Sequence, residues 1–293
     1  MDDSSDRDPM RRESSRFEDA ERAVRSVDEP PSGSPPGTPA ANADESPLRT
    51  VGAAVALGVG GILILIVITV AVGVVGTAVG FEFSTTLIAS IVIGQGIAFF
   101  GLGTAYLRSR GLDLQGMRSY LGVRLPTLRE VGVVVVGYIV LLVAILVGVS
   151  IITVLNLPEP AGNEGGENIV NNGLFLVGIA VMFLVVGPAE EFLFRGIVQN
   201  RLRERFSAVP AVAIAGVIFA SVHLISVANA PAAAAATTIV LLVPAGIVLG
   251  TVYECTGNIV LPWLLHSTHN SVLLTLALYA RTVEGSGLLS ALV

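Results

Sequence analysis

The chain has 293 residues, of which 53% are hydrophobic and only 14% charged, and its mean hydropathy is +0.77. That balance belongs to multi-spanning membrane proteins and excludes an ordinary soluble domain. The formal net charge of -6 is unevenly spread, because residues 1–49 hold 12 of the 23 acidic and 7 of the 17 basic side chains.

The first fifty residues are rich in Asp, Glu, Arg, Ser and Pro, with SVDEPPSGSPPGTPAANADESP as their lowest-complexity part. Such a composition cannot bury enough apolar surface to offset ordering, so residues 1–50 are expected to form a disordered acidic, proline-rich tail. A signal peptide is not expected there, since the first apolar segment begins after residue 50 and is too long for an h-region. From residue 51 the chain offers seven apolar runs near the ~20 residues that cross a hydrocarbon core. They cover 51–80, 84–107, 131–157, 173–199, 208–228, 234–253 and 259–280. The expected fold is therefore all-α, a multi-spanning helical membrane protein of about seven transmembrane helices, with 51–283 as its membrane domain. The first run is glycine-rich and is expected to tilt, or to kink near Gly58, Gly60 and Gly61. The connection RSRGLDLQGMRSYLGVRLPTLRE alternates apolar and basic residues, which suits a short helix lying among lipid headgroups.

Arginine placement sets the expected orientation. Arg49, then Arg108, Arg110, Arg118, Arg124 and Arg129, then Arg201, Arg203 and Arg205 fall on one side of a seven-span chain; the other side has only Arg281. The excess of basic residues marks the cytoplasmic face, so the expected location is the cell membrane, multi-pass, with the N-terminus cytoplasmic. The same arginines sit where topology needs them, so no nucleic-acid partner is expected; membrane lipids are. A single cysteine, Cys255, excludes an intramolecular disulfide framework and any multi-cysteine metal site.

The chemistry concentrates in PAEEFLFRGIVQNRLRER, residues 188–205, where Glu190, Glu191 and Arg195 end an otherwise uncharged run. A charge inside a span costs about 2.5 to 3.5 kcal/mol even on lenient scales, so such groups are functional candidates by default. On a helix, Glu191 and Arg195 stand four apart and only about 40° round the axis, close enough to pair. Glu190 points about 100° away from Glu191 and is left free to face a cleft. All three histidines of the chain, His223, His266 and His269, also lie in expected spans. Glu190 and His223 are symmetric about the turn at Phe206 and Ser207, so antiparallel helices would hold them level, each roughly 20 Å from that turn. His266 would lie only about 10 Å deep, and a tilt or a shifted boundary is needed to bring it to the same height. By the four-residue rule Phe219 shares a face with His223, and His266 with Asn270, while His269 borders that second face. Ser221 and Ser267 lie near histidines but lack a G-x-S-x-G context, and no HExxH occurs.

The spacing Glu190-Glu191-x-x-x-Arg195, Phe219-x-x-x-His223 and His266-x-x-x-Asn270, each on its own span, resembles the CPBP family of intramembrane proteases. That family comprises the prenyl CAAX endopeptidases and their bacterial and archaeal relatives, also called the Abi family. The resemblance covers a core of about 173–280 and implies an endopeptidase that hydrolyses a peptide bond near the cytoplasmic side of the membrane. It implies Glu190, Glu191, Arg195, His223, His266 and Asn270 as catalytic residues: Glu190 and His223 would activate water, and His266 with Asn270 would hold the oxyanion or a metal. Two versions stay open. In one, Glu190, His223 and His266 hold a divalent metal such as zinc; in the other, Glu190 is a general base without metal. The implied substrate is a peptide or a lipid-modified protein. The rival from another class is a non-proteolytic transporter or bacteriocin-immunity-type protein using the same buried polar residues, although no inverted repeat is evident.

Overall fold

The computed structural model describes residues 45–162 and 164–285. The tail expected over 1–50 lies almost wholly outside the described residues. Helix α1, Pro47–Val79, starts where the Ser46 hydroxyl accepts from the Arg49 amide and Pro47 sets the first turn; it ends at Gly80, φ +82°. Its 33 residues amount to about 50 Å, longer than the ~30 Å hydrocarbon core, so it tilts or projects beyond it. It is one unbroken helix. The glycines expected as a kink are contact points instead: a Cβ on Gly58 would sit 2.9 Å from the Ile218 side chain, and one on Gly61 2.7 Å from Leu193. In lipid, where apolar burial gives no net drive between helices, such close approach is what holds helices together.

Helix α2, Phe83–Ser109, widens to π-helical winding over Gly96–Gly101. Helix α3, Leu114–Leu121, is the short amphipathic segment anticipated in the first connection; Asp113 caps it by accepting from the Gly116 amide, and it buries Met117, Tyr120 and Leu121. Helix α4, Leu128–Val154, opens with a reciprocal capping box between Thr127 and Glu130. A short α5, Glu164–Asn171, was not anticipated. Helix α6, Phe175–Arg203, is the central element, every residue from Phe192 to Gln199 being buried. Helix α7, Ala208–Val227, tightens to 3-10 winding over its last turn, His223–Val227. Helix α8, Ala232–Thr256, and α9, Val260–Gly285, complete the order.

Six of these helices (α1, α2, α4, α6, α7 and α8) are long and apolar enough to cross a membrane. Helix α9 has 26 residues, also enough for a crossing, and its polar stretch around His266, His269 and Asn270 dilutes its apolar character. The architecture is all-α and multi-spanning, and each of the seven expected runs coincides with one helix. Helices α7 and α8 meet backbone to backbone: a Cβ on Gly246 would stand 2.8 Å from the Gly216 carbonyl oxygen. From α6, Arg195 and Gln199 donate to the Gly246 and Gly250 carbonyls one turn apart on α8, which small residues leave accessible.

The start of α9 is set by α3. The turn after α8 is left-handed at Gly257, and the Ile259 amide donates to the Leu121 carbonyl while the Asn258 side chain donates to the Arg124 carbonyl. Arg124 in return donates to the Thr256 carbonyl. Asn258 is wholly buried. The α8–α9 turn is thus fastened to the end of α3 and the segment after it.

Candidate active site

Glu190 and Glu191 stand in a short α-helical turn of α6, Gly187–Glu191, between two π-helical stretches, Met182–Val186 and Phe192–Gln199. Pro188 explains part of that winding. It has no N–H for a carbonyl four or five residues back, and the Phe183 carbonyl receives the Trp263 indole N–H instead, at 2.7 Å. The Met182 carbonyl receives the Ser267 hydroxyl at 2.9 Å. Helix α9 is thereby fastened to α6 on either side of His266. Ser267 is committed as a donor to backbone, and Ser221 is exposed.

The expected ion pair is present: Arg195 Nη1 lies 3.2 Å from Glu191 Oε1, with both side chains almost fully buried. The same oxygen takes a second bond that spacing did not suggest, from His266 Nδ1 at 2.7 Å. A carboxylate facing an arginine is ionised and can only accept, so His266 carries its proton on Nδ1. Its Nε2 then faces Glu190 Oε2 at 3.8 Å. His223 is oriented differently. Helix α7 leaves α-winding after Val222, so the Phe219 carbonyl lacks its helical donor, and His223 Nδ1 supplies it at 2.7 Å. His223 Nε2 is thereby turned to the same Glu190 Oε2, at 3.9 Å.

His266 thus reaches both glutamates despite the shallower depth expected for it. Phe219 is more than packing. Its ring lies under the Arg195 guanidinium, 4.3 Å from carbon to centroid, and meets His223 and His266 edge to face at 4.7 and 5.8 Å. Asn270 is half-buried, one turn beyond His266 on α9. His269 points elsewhere, its ring edge-on to Tyr138 across to α4.

One participant escaped the sequence reading. Gln95 on α2 donates from Nε2 to Glu190 Oε1 at 3.1 Å. The available signal was an isolated polar residue in an apolar run, between Gly94 and Gly96.

Could this set hold a metal? Two imidazoles and a carboxylate oxygen face one another, and each imidazole is oriented through its Nδ1–H by a second partner, as metal-binding histidines usually are. The donor chemistry fits. The spacing does not in this state: among the described residues no three histidine, cysteine or carboxylate side chains stand close enough to hold an ion.

No curated protein and no solved structure matches the chain. Residues 172–272, which run from the start of α6 through Asn270, match the family model described as "Type II CAAX prenyl endopeptidase Rce1-like". Residues 172–272 thus carry an Rce1-like domain, with Glu190, Glu191, Arg195, Phe219, His223, His266 and Asn270 all inside it, consistent with the family that the three motifs resemble.

Proposed function

We propose that the protein is an intramembrane endopeptidase that hydrolyses a peptide bond of a peptide or lipid-modified protein near the cytoplasmic side of the cell membrane, its own N-terminus being cytoplasmic. The observation that carries this reading is the Glu190 carboxylate held between two imidazoles from different helices, with Oε2 3.9 Å from His223 and 3.8 Å from His266. A water held by Glu190 Oε2 and the His223 Nε2 lone pair gives a proton to Glu190 as its oxygen attacks the scissile carbonyl carbon. The carbonyl π electrons move to oxygen. That oxyanion is received by the Asn270 amide N–H and by His266 Nε2–H. Because His266 already gives its Nδ1–H to Glu191, the second donor requires the imidazolium form, which the Glu191 carboxylate accommodates. Collapse breaks the C–N bond, and the proton on Glu190 passes to the leaving amine.

A divalent metal is the second reading, favoured by the tautomers that turn both Nε2 lone pairs onto Glu190. Glu190, His223 and His266 would hold the ion, which would supply Lewis-acid activation of water. The two readings part on one experiment. Purified protein cleaves a membrane-peptide library, and cleavage that survives prolonged chelation supports the general-base route; loss on chelation with recovery on adding zinc supports the metal. No cleavage under either condition overturns the endopeptidase reading.

A further inference from the structure

The residues that the family model covers begin at 172, yet the carboxylate at the centre of the site is held from outside them. We propose that Gln95 of α2 is a positioning residue for Glu190, fixing the plane of its carboxylate so that Oε2 meets both imidazoles. The inference rests on the endopeptidase reading of that site and adds to it a helix which that reading does not use.

Four observations carry it. Gln95 is 8% exposed, and its Nε2 reaches Glu190 Oε1 at 3.1 Å across 95 positions of sequence. The amide can be oriented only one way, since the reverse would set its carbonyl oxygen against an acceptor-only carboxylate. The terminal torsion of a glutamate is broad and two-fold. One carboxylate oxygen must therefore be anchored before the other is aimed, and the bonds of Arg195 and His266 Nδ1 go to Glu191 instead.

Among the described residues the Gln95 side chain has no other hydrogen-bond partner, its Oε1 being buried and unpaired there. Its place is defined by backbone: it is the last α-helical residue before the Gly96–Gly101 π-helical stretch, and Gly94 packs so closely on α1 that a Cβ would stand 2.7 Å from Leu65. A π-helical insertion beside a reactive group is a recurrent way of aiming a side chain.

The test uses the full chain in detergent. Gln95→Met keeps length and removes the donor; Gln95→Asn keeps a donor with a shorter reach. The expected result for Gln95→Met is a kcat lower by about 10- to 100-fold, as for loss of a hydrogen bond that orients a reacting group, with KM within about twofold and an unchanged melting temperature. Gln95→Asn falls between it and wild type. A second readout needs no turnover: labelling by a membrane-permeant carbodiimide, read by mass spectrometry, rises at Glu190 in Gln95→Met and not at Glu191. An unchanged kcat, or a loss that follows KM or melting temperature, overturns the proposal whatever the labelling shows. If wild type itself cleaves nothing, the endopeptidase reading fails, and the labelling alone then decides whether Gln95 holds Glu190: equal labelling in wild type and Gln95→Met overturns it.

Discussion

Glu191 carries two donors on one oxygen, Arg195 at 3.2 Å and His266 at 2.7 Å, inside a region with no solvent exposure. Its neighbour Glu190 has the opposite assignment, with one oxygen on Gln95 and the other facing two imidazoles. The difference between adjacent glutamates was legible in the chain, because four-residue spacing pairs Glu191 with Arg195 and turns Glu190 away. The bond from His266 was not. It joins residues 75 apart, and which carboxylate a distant histidine meets depends on where α9 begins. Glu191→Gln therefore has two consequences. It strands Arg195 as a buried charge, a loss of about 3 to 5 kcal/mol, and it replaces the acceptor that fixes His266. We expect a lower melting temperature together with lower hydrolysis, and hydrolysis that stays low in a stabilising lipid where folding is restored. Full activity on restoring the fold would show that Glu191 serves structure alone.

At the scale of elements, the departures from regular α-winding lie where the site is. The π-helical stretches of α2 and α6 and the 3-10 turn of α7 each adjoin Gln95, Glu190 or His223. Hydropathy identifies the helices because it averages over about twenty residues, and for the same reason it passes over a one-residue change of phase. The contact of α3 with the α8–α9 turn was hidden likewise, since no local pattern reports it. Gly122 tests that contact. It is left-handed, φ +66°, and a Cβ there would land on the Gly257 carbonyl oxygen. Gly111 is left-handed too, φ +83°, with open space around it. Both alanine variants bear the backbone cost of about 1 kcal/mol, but only Gly122→Ala must shift the turn and with it His266. Peptide cleavage should fall at least about tenfold in Gly122→Ala, some 1.4 kcal/mol in transition-state terms, and stay near wild type in Gly111→Ala. Equal activities would show that α3 does not set the position of α9.

Across the whole molecule, charged side chains gather at one end of the helices, in the pairs Arg110–Glu204, Arg201–Glu204, Arg201–Glu45 and Arg203–Glu254. In the orientation we propose from the arginine pattern, that end is cytoplasmic. Cys255, the sole cysteine of the chain, is exposed beside Glu254 and reports on the assignment directly. An impermeant thiol reagent should label inverted vesicles and leave intact cells unlabelled; labelling of intact cells reverses the orientation. The long apolar helices were readable from hydropathy alone, and the resemblance to the matched family model from three motifs, because both are local properties of the chain. The candidate site is assembled from four helices, α2, α6, α7 and α9, and only the fold brings them together. In the proposed reaction Glu190 drives water onto a peptide carbonyl. The most direct measurement is cleavage of a membrane-peptide library in H₂¹⁸O by purified wild type and by Glu190→Gln. Wild type should release peptides with one ¹⁸O in each new C-terminal carboxylate, and Glu190→Gln, with an unchanged melting temperature, should release none; cleavage by Glu190→Gln at the wild-type rate would contradict the account.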